Sequence, residues 1–125
     1  MAYKIFISFS AKDRAIAKSL KKQLVKVGAE VSTADPLVLG SEIRVHIADA
    51  MRQSDAVIAI VSKHSARSQW LSFEVGAAAG LGKKILPVTV GIRSSELPPV
   101  LSSFQAIELD KFPQFVARLA NRIQP

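Results

Sequence analysis

Three groups of residues have types and spacings that could do chemistry. The first is Trp70 and Glu74, within Ser68–Gly80, SQWLSFEVGAAAG. At about 100° per residue, Trp70, Leu71, Phe73, Ala77 and Ala78 spread over one apolar arc of a helix. Glu74 falls inside that arc, one turn after Trp70 and away from the polar side near Ser72 and Gly76. Such a carboxylate either faces a cleft, where a ligand can reach it, or is hydrogen-bonded as a structural anchor. The second group is Phe9-Ser10-Ala11. An aromatic ring there can stack a flat heterocycle, with Ser10 and backbone N–H groups meeting hydroxyls or phosphate at a helix N-terminus. Equally, Phe9 can belong to the core and Ser10 can cap a helix. The third is the loop Asp35–Ser41, in which Pro36 and Gly40 bracket Leu37, Val38 and Leu39. Three apolar loop residues either touch a ligand or partner or fold back on the domain.

Other chemistries lack their residues. There is no cysteine, which removes disulfides, thiolate nucleophiles and Cys-rich zinc sites together. With His46 and His64 as the only histidines, no metal site is expected. Neither GxGxxG after the first strand nor GxxxxGK[ST] is present, so dinucleotide-fingerprint and P-loop readings fail. No GxSxG elbow occurs. The acidic pocket and phosphoacceptor aspartate of a receiver domain are missing too.

The elements that must position these groups follow from periodicity. Tyr3–Phe9 reads as a strand. Asp13–Val27 reads as a helix, with Ile16, Leu20, Leu24 and Val27 inward, Ser10–Asp13 as its capping signal and Gly28 ending it. Glu30–Thr33 is a short strand. Ser41 caps a second helix running to about Gln53, with Ile43, Ile47, Ala50 and Met51 inward. The unbroken apolar run Asp55–Ser62 marks a strand covered on both faces. The Glu74 helix comes next, and then a strand at Lys84–Val90, whose Pro87 points to a place near the sheet edge. Phe104–Leu109 is a weaker fifth strand. Asp110 is placed to cap a last helix whose inner stripe is Phe112, Phe115 or Val116, Leu119 and Ile123.

This alternation predicts a flavodoxin-like α/β fold, a five-stranded parallel sheet of order 2-1-3-4-5 with helices on both faces. Ligands then bind beyond the carboxyl ends of strands 1 and 3. That selects Phe9–Ala11 and Ser62–Ser68 as pocket walls, with the Glu74 helix directly after one of them. Residues 1–125 form one domain, complete or the N-terminal part of a longer protein. The longest apolar run, Ala56–Val61, is far short of the roughly 20 residues that span a bilayer, and no charged lead precedes a cleavable apolar region. No membrane contact and a cytoplasmic location are therefore expected. The net charge of +7 gathers on Lys12, Arg14, Lys18, Lys21, Lys22 and Lys26. No aromatic residues interleave with these cations, so nucleic acid is not an expected partner. A solvated basic face, or one for an acidic protein or self-association, remains.

Taken together, KIFISFSAKD, ADPLVLGSEIRVHIADAMRQSDAVIAIVSKHSARSQWLSFEVG and KKILPVTV resemble a Toll/interleukin-1 receptor (TIR) domain of the bacterial type, over residues 3 to about 110. Trp70–Glu74 is similar to the family's WxxxE. The Phe-Trp pair that animal receptors carry before the last helix is missing; only Phe112-Pro113 stands nearby. The resemblance implies cleavage of NAD+, as substrate and not cofactor, at the nicotinamide–ribose bond, giving ADP-ribose or a cyclic form. It implies Glu74 as the catalytic residue and substrate contacts at Phe9, Ser10, Ala11, Leu39, Ser41 and Trp70. It also implies that Asp35, Pro36, Leu37, Val38, Leu39 and Gly40 form the BB loop, which packs against a neighbouring protomer. Activation would follow self-association, in the extreme as a filament, driven by a fused or separate sensor, in bacterial immune signalling. The alternative is a non-catalytic TIR–TIR interaction module, or a virulence effector that mimics host TIR domains.

Overall fold

Apolar runs alternating with amphipathic stretches fold here into a parallel sheet between two helical layers. The computed structural model describes residues 2–33, 49–66 and 69–123. Its strands are β1 (Lys4–Ser8), β2 (Glu30–Thr33), β3 (Ala56–Ser62), β4 (Lys84–Val90) and β5 (Ile107–Glu108). They pair in the order β2-β1-β3-β4-β5, all parallel, as the sequence predicts. The helices are α1 (Arg14–Lys26), α2 (Gln69–Gly80) and α3 (Phe112–Ile123), and residues 49–53 are also helical.

The two-residue period of the strands divides the core. Ile5, Ile7, Ile58, Ile60 and Val88 pack against Ala17, Leu20 and Leu24 of α1 and Phe112, Val116 and Leu119 of α3. Phe6, Val57, Ala59, Val61 and Ile85 face the other way, onto Met51, Val75 and Ala78 of α2, and Leu101. β3 is buried from Val57 through Ser62, as a strand covered on both faces must be. The inner stripe expected for the last helix and the inward Ala50 and Met51 are found in these clusters.

Both α1 and α2 are stopped by the same device. The N–H of Ala29 reaches the Leu24 carbonyl at 3.1 Å and that of Gly28 reaches Val25 at 3.0 Å. Lys83 to Ala78 (3.1 Å) and Gly82 to Ala79 (3.0 Å) repeat the pattern. Each turn needs a positive φ, supplied by Gly28 at 103° and Gly82 at 72°.

Several boundaries differ from expectation. α1 begins at Arg14, because Ala11–Asp13 form a 3-10 turn. The Ser10 hydroxyl caps that turn, accepting from the Lys12 N–H at 3.3 Å, and Asp13 makes no capping bond to α1. The fifth strand keeps only Ile107–Glu108. Before it, a turn closes from the Phe104 N–H to the Leu101 carbonyl, and after it the 3-10 turn Leu109–Lys111 begins. Asp110 lies inside that turn and does not cap α3. Pro87 sits opposite Ala59 in the penultimate strand, outside which β5 pairs only at Val88 and Thr89. The loop Asp35–Gly40 and the start of the second helix, with Ser41, Ile43 and Ile47, lie outside the described residues.

Phe6 is fully buried in the α2-side cluster. Phe6→Ala is expected to cost about 3–5 kcal/mol in urea unfolding, from lost transfer energy plus an unfilled cavity. A loss below about 1 kcal/mol would show that this cluster does not hold the sheet to α2.

Candidate functional site

The chain winds outward in opposite directions from β1 and β3, which lie side by side at the centre of the sheet. Open α/β sheets bind ligands beyond the carboxyl ends of such a pair of strands. Polar groups collect there on both faces.

On the α2 face stands Glu74, one turn and a half into α2 and only 3% exposed. Its partner is Ser8, the last residue of β1, also 3% exposed, whose side chain is hydrogen-bonded to the carboxyl group. Alternation along β1 turns Ser8 to the side of Phe6, toward α2. Burial pushes the Glu74 carboxyl from its ordinary value of 4.5 up to about 7, and the Ser8 hydrogen bond opposes that rise without cancelling it. The group is thus poised to change charge near neutrality, able to hold a proton when the site is empty and to ionise beside a cation.

On the α1 face the Ser62 hydroxyl donates to Asp13 Oδ2 at 2.6 Å. The same hydroxyl accepts from the His64 N–H at 3.1 Å. Ser65 Oγ accepts from the Ser62 N–H at 3.0 Å and donates to the Ile60 carbonyl at 3.1 Å. This network fastens the start of α1 to the end of β3 and to the turn that leads into α2. Among the described residues no buried side-chain nitrogen or oxygen lacks a partner.

The sequence candidates fall in different places. Glu74 and β1 meet, but through Ser8. Phe9 is 6% exposed and packs in the α1-side cluster with Ile5 and Ile7, across the sheet from Glu74. Ser10 and Ala11 are half-buried, with the Ser10 hydroxyl already engaged by the Lys12 N–H. The Trp70 backbone lies in α2, one turn before Glu74; its side chain, like Leu39, Ser41 and the rest of Asp35–Gly40, is outside the described residues. Ser8 escaped the sequence reading, and Asp13 entered it only as part of a helix cap. Ser8 was signalled by a lone hydroxyl closing the apolar run KIFIS, and Asp13 by an acid at the head of a helix whose other charges are all basic. Among the described residues no cluster of acidic, His or Cys side chains could hold a metal ion, and no helix is long and apolar enough to cross a membrane.

The raised Glu74 value has a consequence for stability. The folded chain keeps this proton up to about pH 7, whereas the unfolded chain releases it near 4.5. The native state therefore binds more protons across that window, and stability is lost as pH rises through it. Glu74→Gln, which cannot ionise, is expected to match the parent at pH 5 and exceed it above pH 8 by up to about 3 kcal/mol, read by urea unfolding. Parallel pH profiles for the two chains would show that Glu74 does not titrate near 7.

Known proteins share this fold. A family model of the TIR domain matches residues 5–121. The TIR domain of the Toll-related receptor TRR-2 from the lower metazoan Hydra magnipapillata superposes with a TM-score of 0.73 at 21% identity, over 99% of this chain and 100% of that one. A metazoan TIR-STING receptor from C. gigas, solved with 2′,3′-cGAMP, gives 0.71 at 26% identity, covering 90% of this chain and 38% of the receptor. This chain thus spans about two fifths of that receptor's length. The TIR domains of the activated Roq1 resistosome, which directly recognizes the pathogen effector XopQ, give 0.63 at 19% identity, over 96% and 84%. No curated protein matches the chain. With the family model covering almost its whole length, the chain belongs to the TIR domain family.

Proposed function

We propose that this TIR domain cleaves NAD+ at the nicotinamide–ribose bond, with Glu74 as its catalytic carboxylate. The observation that carries this reading is the Glu74 carboxyl itself, buried at the carboxyl ends of the central strands and held near neutrality, one helical turn after Trp70. The chemistry suits one carboxylate. When the C1′–N1 bond breaks, its electron pair goes to the nicotinamide nitrogen, which passes from cation to neutral and needs no proton. The positive charge left on the ribose resembles that in glycoside hydrolysis, and an adjacent carboxylate stabilises it. In dry surroundings that attraction is stronger than in water. The cationic substrate itself favours ionised Glu74 on arrival. Water then adds at C1′ and loses a proton to give ADP-ribose, or an adenine nitrogen closes a cyclic product.

In this reading Trp70, Ser10, Ala11, Leu39 and Ser41 contact substrate, whereas Phe9, packed in the core across the sheet from Glu74, does not. The loop Asp35–Gly40 meets a neighbouring protomer when the domains associate, as a filament in the fullest case. A sensor, fused to this chain or separate, clusters it in the cytoplasm. The TIR domains of the Roq1 resistosome belong to an activated assembly, which supports this mode. The missing Phe-Trp pair before α3 weakens a receptor-adaptor reading and leaves intact that of a bacterial type with a part in bacterial immune signalling. One observation favours a second reading, that of a non-catalytic interaction module or an effector that mimics host TIR domains. Glu74 is 3% exposed and bonded to Ser8, which leaves little of its carboxyl open to a ligand.

The test is incubation of the clustered chain with NAD+, following nicotinamide and ADP-ribose species by chromatography. Glu74→Gln is expected to lose at least about 100-fold in rate while remaining folded. The parent's kcat/KM should rise with pH and level off above about 7, since the carboxylate is the active form. Full turnover in Glu74→Gln would remove the assignment, and a silent parent after clustering would leave the interaction module. For the loop, Leu39→Glu is expected to lower self-association in sedimentation and cleavage together. Unchanged sedimentation would place the interface elsewhere.

A further inference from the structure

The pole of the sheet opposite Glu74 carries charges of both signs around a recess. Tyr3 stands just before β1, Asp55 stands just before β3, and Lys84 opens β4. The end of α3 brings Leu119, Arg122 and Ile123 beside them. The space they line is about 470 Å³, within the range of small-molecule sites. Backbone bonds fix its frame. Asp55 Oδ2 accepts from the Lys4 N–H at 2.8 Å, and the Asp55 N–H donates to the Lys4 carbonyl at 2.7 Å. The Tyr3 carbonyl accepts from the Glu30 N–H at 2.9 Å. Tyr3 and Ile123, both half-buried, pack on the α1-side cluster. Burial raises the Tyr3 phenol above its ordinary value, Asp55 raises it further, and Arg122 lowers it. An acid and a cation thus act on one phenol from two sides of the same recess.

Those charges select the ligand. A simple anion would be repelled by Asp55, and a simple cation by Lys84 and Arg122. A molecule with one ammonium and one carboxylate meets both, through charge-assisted hydrogen bonds at each end. Asp55 keeps acceptor capacity beyond its backbone bond, since a carboxylate has about four lone-pair sites. Leu119, 7% exposed, and Ile123 join Tyr3 as an apolar wall for a hydrocarbon side chain. We propose that this recess binds a free apolar α-amino acid, its carboxylate toward Lys84 and Arg122 and its ammonium toward Asp55. The site lies at the opposite end of the strands from Ser8 and Glu74 and does not depend on the NAD+ reading.

The test is titration of the chain with L-leucine, N-acetyl-leucine and leucinamide at low salt, followed by calorimetry and by amide NMR shifts. One saturable leucine site is expected, with the shifts centred on Tyr3, Asp55, Lys84 and the end of α3. N-acetyl-leucine lacks the ammonium and leucinamide the carboxylate, so each should bind about tenfold more weakly or worse. Asp55→Asn and Arg122→Gln should each weaken leucine by about tenfold, and Lys18→Gln, an exposed cation outside the recess, by less than about twofold. Asp55→Asn keeps a side-chain oxygen for the Lys4 N–H, and unchanged circular dichroism would verify that the variants fold. Tyr3 is the chain's one tyrosine, so phenolate absorbance reads it alone. Its titration should move down in pH in Asp55→Asn and up in Arg122→Gln. Glu74→Gln should leave leucine affinity unchanged, which keeps this result separate from the fate of the NAD+ reading. Equal affinities for the three ligands, equal losses in Lys18→Gln and Arg122→Gln, or no saturation at millimolar leucine would overturn the proposal.

Discussion

A parallel sheet covered on both faces constrains everything else in this molecule. Its central strands can carry almost nothing but hydrocarbon, because a polar side chain on either face would meet helix and not water. Chemistry is displaced to the carboxyl ends of β1 and β3. Ser8, Asp13, Ser62, Ser65 and Glu74 all gather there, and each is 4% exposed or less. The 2.6 Å bond from Ser62 to Asp13 spans 49 positions of sequence and ties the first helix to the middle strand at that point. The turn after β3 and the opening of α2 inherit their placement from it.

Glu74 sits in surroundings unfavourable to its charge. An acid that folds with a value near 7 withdraws stability from the domain at physiological pH, and the single hydroxyl of Ser8 only reduces that loss. Local sequence rules disagree with the fold at this residue, which is the kind of conflict that functional sites sustain. The disagreement is physical, and it stands independently of which reaction or partner the family membership supports.

Much of the architecture was legible because it rests on periods. β2 and β4 begin and end where their apolar patterns do, and the strand order follows from five alternations of strand and helix. The inner stripe of α3 reads directly from its spacing. What the pattern missed depends on side-chain direction in three dimensions. Ser10 and Asp13 fit a helix cap by spacing, yet a 3-10 turn took Ser10 and a distant serine took Asp13. Phe9 looked like a pocket lip because it ends a strand; alternation instead sends its ring to the α1 side and gives Glu74 the smaller neighbour, Ser8. The oddness of Glu74 was visible from a helical wheel, whereas its hydrogen-bond partner required the sheet. The fifth strand failed for a different reason, since turns on both sides left it only two residues.

Those two residues matter at the rim of the sheet. An edge strand is a template on which another chain can add hydrogen bonds, and long flat edges invite irreversible growth. Here one rim ends in a pair of residues, and the other in a four-residue strand whose Glu30, Ser32 and Thr33 are exposed. Among the described residues neither rim offers a long run for a further strand to zip onto. Copies of such a domain that come together are then joined by side chains on helices and loops instead of a continued backbone ladder, and they separate again without breaking a sheet.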